Sequence, residues 1–340
     1  MEKIAFIIGE TYVYWQSVIL MLAALTAGLM FLGLYIGKSG NAAGAFAAVP
    51  LSMAAGMVLS RLVHWYCQTA AYASFTAAMT QWNNGGFALV GFFAGCLLTA
   101  CLLRLVQLVK NLPQMLDCMV IAGSAGIAVG RLACLYSPAD RGMLLEEITT
   151  LPMAYPVVNA VTGLMEYRLA TFMLQAIAAA AIFLVLLVWW LLGRKKLPQG
   201  DITLLFLLIY GAAQAILDST RYDSLFLRSN GFVSVVQILG LLAIVTVIVI
   251  FSVRMVKSRG WNWWFIALWV AELASLGGAG YMEYLVQRYG NMYLPVYSGM
   301  AALLLIMSIL VVVMYHTVCL SKDEKERLEL NAGLKETVEV

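Results

Sequence analysis

The sequence predicts an all-α fold, a polytopic bundle of transmembrane helices. Three observations carry that prediction. Hydrophobic residues make up 63% of the 340 and charged residues only 11%, where an ordinary soluble domain carries about a quarter charged. Nine apolar runs, centred near residues 26, 52, 98, 125, 181, 210, 243, 272 and 307, approach the roughly 20 residues a helix needs to cross the hydrocarbon. None of them alternates apolar with polar residues, which argues against the other structure that satisfies its backbone in lipid, a closed barrel.

The first run, "SVILMLAALTAGLMFLGLYIG", follows an N-terminal segment whose only basic residue is Lys3. It is longer than the apolar region of a signal peptide and reads as a retained first span. Basic residues then follow span 1 (Lys38), span 3 (Arg104, Lys110), span 5 (Arg194, Lys195, Lys196), span 7 (Arg254, Lys257, Arg259) and span 9 (Lys322, Lys325, Arg327, Lys335). That is 13 of the 21 Lys and Arg on one side. By the positive-inside rule the N-terminus is outside and the C-terminus cytoplasmic.

Seven of the other eight basic residues are arginines: Arg61, Arg131, Arg141, Arg168, Arg221, Arg228 and Arg288, at or near the outer ends of spans. Arginine's planar fork grips phosphate or carboxylate through two hydrogen bonds, whereas lysine is a hydrated point charge. The outer face therefore reads as an anion site. The alternative is snorkelling to lipid phosphates, which is the reading for Arg228 and Arg288 in their loops.

Spans 8 and 9 follow "RMVKSRGWNWWF", in which Trp261, Trp263 and Trp264 read as an interfacial aromatic belt. These two spans, residues 260–320, read as an appended hairpin, and residues 321–340 as a charged cytoplasmic tail, mixed in sign. Glu272 inside span 8 is costly unless it is paired or faces the bundle. Cys67, Cys96, Cys101, Cys118, Cys134 and Cys319 lie in or beside apolar runs without CxxC spacing or clustered histidines. They read as buried small residues, with neither a disulfide framework nor a metal site, and no cofactor is expected. The chain shows no internal repeat and no nucleic-acid signature.

Four polar constellations interrupt the apolar frame. In "SRLVHWYCQ", Arg61 and His64 stand one helical turn apart on the same side of span 2. "NNGGFALVGFFAG" enters span 3 with glycines, Gly85 and Gly86 among them, that permit close helix packing or close approach to a ligand. In span 4, Asp117 near the inner end precedes a small-xxx-small face of Gly126 and Gly130, and then Arg131. In "YGAAQAILDSTRYDS", Tyr210, Gln214, Asp218 and Arg221 stripe one face of span 6. Each has a structural reading. An intramembrane Asp–Arg pair is nonetheless by default a functional candidate.

In order and spacing these motifs resemble the prolipoprotein diacylglyceryl transferase family, over about residues 10 to 255. The family's span-2 Gly-Arg is similar to Ser60-Arg61, and its Asp-Gly-Gly segment to the "NNGG" stretch. Its Asp, followed fourteen residues later by the signature Gly-Arg, is matched by Asp117 and Gly130-Arg131. Its "YGxxRxxxExxR" helix resembles Tyr210-Gly211, Gln214, Asp218 and Arg221, and its "GQILS"-like element resembles "VVQILG" around Gln237. There are departures. The family's histidine falls on Val90, its asparagine after the signature arginine on Cys134, and the first arginine of its span-6 motif on Gln214. The glutamate of that motif is Asp218, and Ser137, Pro138, Ala139 and Asp140 replace the later Asn and Glu.

The resemblance implies a seven-span transferase-like core over residues 1–259, carrying the two-span C-terminal hairpin and the tail. It also implies a reaction: transfer of a diacylglyceryl group from phosphatidylglycerol to the cysteine thiol in a lipoprotein precursor's signal peptide, at the bacterial cytoplasmic (inner) membrane. Arg131, Arg221 and Arg61 would hold the phosphate, since preorganised cations stabilise developing negative charge. His64, Asp218 and Tyr210 are the candidate catalytic residues, because the thiol must become a thiolate. Gly85, Gly86, Gly130, Asp117, Gln214 and Gln237 would support them. The other reading is a catalytically lapsed homologue that binds phospholipid or a signal peptide.

Overall fold

The computed structural model describes residues 3–38, 40–82, 85–145, 150–159, 161–193, 198–227, 230–289 and 293–338. Asn83, Asn84, Arg194, Lys195, Lys196 and Arg228, named above, lie outside these residues.

Nine apolar helices are present among the described residues, matching the nine runs. They are α1 (Trp15–Gly37), α2 (Ala42–Cys67), α4 (Leu89–Leu105), α5 (Leu112–Arg131), α6 (Thr171–Gly193), α7 (Asp201–Ser219), α8 (Val235–Arg259), α9 (Trp264–Tyr289) and α10 (Tyr293–Val338). Eight are long and apolar enough to cross a membrane. The exception, α4, has 17 residues, about 26 Å at 1.5 Å per residue, a little short of the roughly 30 Å of hydrocarbon. The chain is a multi-pass membrane protein. Its outer faces accordingly carry bare aliphatic side chains such as Leu29 and Leu184.

The apolar runs predict only helices, whereas among the described residues three two-stranded antiparallel hairpins are also present, one before α1 and two between later helices, together with the short helix α3 (Phe75–Thr80). The hairpins are β1 (Ile4–Ile8) with β2 (Thr11–Tyr14), β3 (Ala154–Val158) with β4 (Met165–Leu169), and β5 (Phe226–Leu227) with β6 (Asn230–Ser234). Their strands are at most five residues long. Such pieces fall below the window in which periodicity can be read.

The chain divides into two compact units, 1–239 and 240–340, with the division inside α8. In the first unit, small residues set the helix spacing. A Cβ on Gly91 would fall 2.4 Å from the Leu59 carbonyl oxygen, and one on Gly95 would fall 2.4 Å from the Gly56 amide nitrogen, so α4 lies directly against the backbone of α2. The Ser60 hydroxyl donates to the Ala88 carbonyl at 2.7 Å and fixes the start of α4 on the same partner. Gly126 and Gly130 do the corresponding work between α5 and α1, where a Cβ on Gly126 would meet the Ala27 methyl at 2.8 Å. This is the small-residue packing that brings helices together in lipid. Ile121, Ile182, Leu186, Trp190, Ile202 and Phe206 then join α5, α6 and α7 in one apolar cluster.

In the second unit the remainder of α8 packs with α9 and α10. The Trp269 indole donates to the Ser252 hydroxyl at 2.9 Å, and Gly278 and Gly299 lie against Leu303 and Met282. Trp261 and Trp263 are exposed, as an interfacial belt requires. Glu272 is only 3% exposed, and among the described residues neither carboxylate oxygen has a hydrogen-bond partner.

Candidate functional site

Arg131 ends α5, where the chain tightens into a 3-10 turn, Leu132–Tyr136. Asp140 then takes a left-handed backbone conformation, φ 57°, which aspartate tolerates better than most side chains. Short backbone bonds fasten the segment after it to the end of α7. Met143 N donates to the Thr220 carbonyl at 3.1 Å and Tyr222 N to the Arg141 carbonyl at 2.9 Å, and Gly142 bridges Arg221. Glycine is required at 142, because a Cβ would come within 2.5 Å of the Thr171 hydroxyl. These bonds deliver Asp140 to Arg221.

The result is a buried ionic network. The Asp140 carboxylate accepts from Arg131 Nη1 on one oxygen and from Arg221 Nη2, at 2.7 Å, on the other. The Cys134 thiol donates to the Arg131-bound oxygen at 3.3 Å, and the Tyr210 hydroxyl meets the Arg131 guanidinium. Arg221 Nη1 reaches Asp218 at 3.1 Å, and its Nε reaches Asp223 at 3.1 Å. Asp223 in turn accepts from the Asp140 amide at 2.9 Å. Asp218, 1% exposed, gives its other oxygen to the Ser234 hydroxyl. Burial works to raise the Asp140 carboxyl, but the guanidiniums of Arg131 and Arg221 outweigh it and hold it down to about 2. Burial works against the Arg221 charge, yet Asp140, Asp223 and Asp218 hold it above its ordinary value.

Of the expected site residues, the network unites Arg131, Arg221, Asp218 and Tyr210. It also recruits Asp140, Asp223 and Ser234, to which sequence reasoning gave no role. The available signal was an acidic residue nine positions after Arg131 and another two after Arg221. Arg141 lies alongside, donating to the carbonyls of Cys134 and Ser137 at 2.7 Å each, and stacked over Tyr155 and Phe172. Burial lowers its basicity.

Arg61 and His64 form a separate cluster at the end of α2. Arg61, fully buried, donates to the backbone carbonyls of Ala78, Gln81, Gly85 and Gly86. A guanidinium committed to four carbonyls organises a loop, and none of these bonds leads to the Arg131 network. Both glycines have left-handed φ, 68° and 80°. A side chain on Gly86 would sit 2.4 Å from the Tyr72 hydroxyl and 3.0 Å from His64 Cε1, so its absence makes room for the His64 Nδ1 contact with the Tyr72 hydroxyl at 2.7 Å. Cys67, Ala88, Leu225 and Val235, with Val63, form the apolar patch in which the neighbours of His64 meet the neighbours of Ser224 and Ser234.

The remaining supporting residues act in the frame. Asp117 stands fourteen residues before Arg131 on α5, about 21 Å along the axis. It accepts from Gly200 N, Thr203 N and the Thr203 hydroxyl at 2.7, 2.9 and 2.7 Å, capping the N-terminus of α7 from a neighbouring helix. Gln214 accepts from Gln175 at 3.3 Å. Gln237 and Ser234 form a reciprocal capping box at the start of α8, Ser234 N to Gln237 Oε1 at 3.0 Å and Gln237 N to Ser234 Oγ at 3.1 Å. Among the described residues no group of three or more His, Cys, Asp or Glu side chains is placed to hold a metal ion.

The chain has relatives in sequence. The family profile for prolipoprotein diacylglyceryl transferase matches residues 3–253. The phosphatidylglycerol–prolipoprotein diacylglyceryl transferase of Lactococcus lactis subsp. cremoris is 23% identical over 259 residues, 76% of this chain and 97% of that one. Its counterpart in Lactococcus lactis subsp. lactis is 25% identical over 204 residues, covering 60% and 76%. That of Bacillus licheniformis is 23% identical over 273 residues, covering 76% and 94%. With a profile match across most of its length, from the first hairpin into α8, this chain belongs to the prolipoprotein diacylglyceryl transferase family.

Proposed function

We propose that this chain transfers the diacylglyceryl group of a phosphatidylglycerol-like anionic phospholipid to the cysteine thiol of a lipoprotein-precursor signal peptide. The observation that carries the reading is the convergence of Arg131, at the end of α5, and Arg221, just past the end of α7, on the two oxygens of one anion. A phosphodiester offers the same pair of oxygens, and guanidinium forks bind it in the same bidentate way. As the carbon–oxygen bond to phosphate breaks, negative charge grows on the leaving glycerol phosphate, and Arg131 and Arg221 stabilise it where water is excluded. Tyr210 hydrogen-bonds a phosphate oxygen, and Asp218 holds Arg221 in place.

The acceptor thiol loses its proton, its sulfur forms the new bond to the glyceryl carbon, and the phosphate leaves. His64 is the base, held by Tyr72. Arg61 supports it through the loop that carries Gly86, in place of direct contact with phosphate. The pattern of basic residues puts the N-terminus outside and the C-terminal tail in the cytoplasm of a bacterial inner membrane. Residues 1–259 are the catalytic core, with 260–320 and 321–340 as additions to it.

The second reading, a lapsed homologue that binds phospholipid without transfer, draws on Val90 and Gln214 standing where the family has histidine and arginine. Complementation of a strain depleted of its own transferase, paired with lipid binding by the purified protein, separates the two. Growth that is abolished by Arg131→Ala supports transfer. Binding of phosphatidylglycerol with no transfer in vitro supports the lapsed reading, and growth that survives Arg131→Ala removes the phosphate role.

A further inference from the structure

Arg131 and Arg221 do not hold an open seat. Their shared position is filled by Asp140, with one carboxylate oxygen on each guanidinium. Their remaining bonds hold the two guanidiniums independently of Asp140: Arg221 to Asp218 and to Asp223, the latter partly through the same Nη2 at 3.0 Å, and Arg131 to Tyr210. If Asp140 left, both forks would remain oriented toward the vacated place. The segment that carries Asp140 has a left-handed φ at a residue with a side chain, a conformation shared among the described non-glycine residues with Gln107. Its amide donates to Asp223 and its carbonyl accepts from Phe172 N at 3.1 Å, while the Cys134 thiol gives its carboxylate a third, weak contact.

We infer that Asp140 is an internal competitor for the phosphate: it occupies the seat between Arg131 and Arg221 until a phosphodiester displaces it, and so sets how strongly an anion must bind to enter. The inference rests on the proposed lipid-phosphate role of the two arginines. A ligand that offers one oxygen cannot replace both contacts, whereas a phosphodiester with two free oxygens replaces them one for one. Selectivity then follows from a difference of affinities, with the carboxylate as the competitor that weak anions fail to expel. Binding costs the free energy of opening, so the apparent affinity falls by the fraction of chains in which the seat is vacant.

The test uses the full chain in nanodiscs whose lipid is phosphatidylcholine, titrated with a fluorescent phosphatidylglycerol, and glycerol phosphate as a soluble probe in parallel. Asp140→Asn keeps the size and removes the charge, and Asp140→Gly also relaxes the backbone. Both are expected to bind phosphatidylglycerol more tightly, by roughly tenfold if the seat is closed about nine times in ten. Arg131→Ala should bind more weakly. Unchanged or weaker binding by both Asp140 variants, with Arg131→Ala still impaired, would overturn the competitor role and leave the phosphate site standing. An Arg131→Ala protein that binds as wild type would instead remove the underlying reading. Failure of both Asp140 variants to fold would also count against the inference, because a carboxylate that substrate displaces cannot be indispensable to the fold.

Discussion

Asp117 and Thr203 join two membrane helices end to end. The carboxylate accepts from both the amide and the hydroxyl of Thr203, at 2.9 and 2.7 Å, and so closes the first turn of α7 from α5. Helix starts leave amides without partners, and in a membrane helix there is little water to take them up. Replacing Asp117 with Ala should therefore lower stability by about 1–3 kcal/mol. The check is thermal unfolding in detergent. At a temperature where the variant is still folded, phosphatidylglycerol binding should be close to wild type, because the proposed phosphate seat at Arg131 lies near the far end of α5.

Ser234 and Gln237 each make two side-chain bonds, but only Ser234 touches Asp218. Ser234→Ala loses the cap of α8 and the partner of Asp218 together, whereas Gln237→Ala loses half of the capping box and a bond to the Ala215 carbonyl. Both should destabilise by about 1 kcal/mol. In a transfer assay with phosphatidylglycerol and a lipoprotein-precursor peptide, only Ser234→Ala should also lose activity at saturating lipid, since Asp218 then holds Arg221 less firmly. Equal losses in the two variants would show that the Ser234–Asp218 bond does not matter to the reaction.

The pH dependence of stability has a definite sign. Asp140 is held at about 2 in the folded chain, against an ordinary value of 3.8. A group depressed on folding contributes in full above its unfolded value and ceases to contribute as the pH falls through its folded one, because the unfolded chain takes up the proton first. The contribution, on the order of 2 kcal/mol, should be present at pH 5 and above and vanish toward pH 2. Unfolding midpoints measured from pH 6 to pH 2 should fall more steeply for wild type than for Asp140→Asn.

Glu272 is the opposite case. A buried carboxyl without a partner costs about 1–3 kcal/mol relative to a side chain that needs none, so Glu272→Leu should raise the unfolding midpoint of the chain. A lower midpoint would show that the carboxyl is satisfied in the membrane by a group from outside this chain.

The helices were legible because lipid imposes one rule, a long apolar run, and α1 to α10 obey it wherever a span was expected. Tyr210, Asp218 and Arg221 were legible for the same reason: a polar stripe at helical spacing on an apolar helix has few explanations. Asp140 and Asp223 were hard to assign because their positions depend on how the segment after Arg131 is stitched to the end of α7, a matter of backbone bonds such as Tyr222 to Arg141. Arg61 misled in a different way. Beside His64 on one helix face it looked like another anion-binding arginine, and nothing in its spacing announced that the carbonyls of Ala78, Gln81, Gly85 and Gly86 would turn to it.

That wrapping has a consequence of its own. Four main-chain oxygens, from α3 and the residues that follow it, converge on the Arg61 guanidinium, much as carbonyl groups gather around a calcium ion in a binding loop. Here the cation is covalently part of α2, so the stretch comes with its counter-charge permanently loaded, and no change in external salt can empty it.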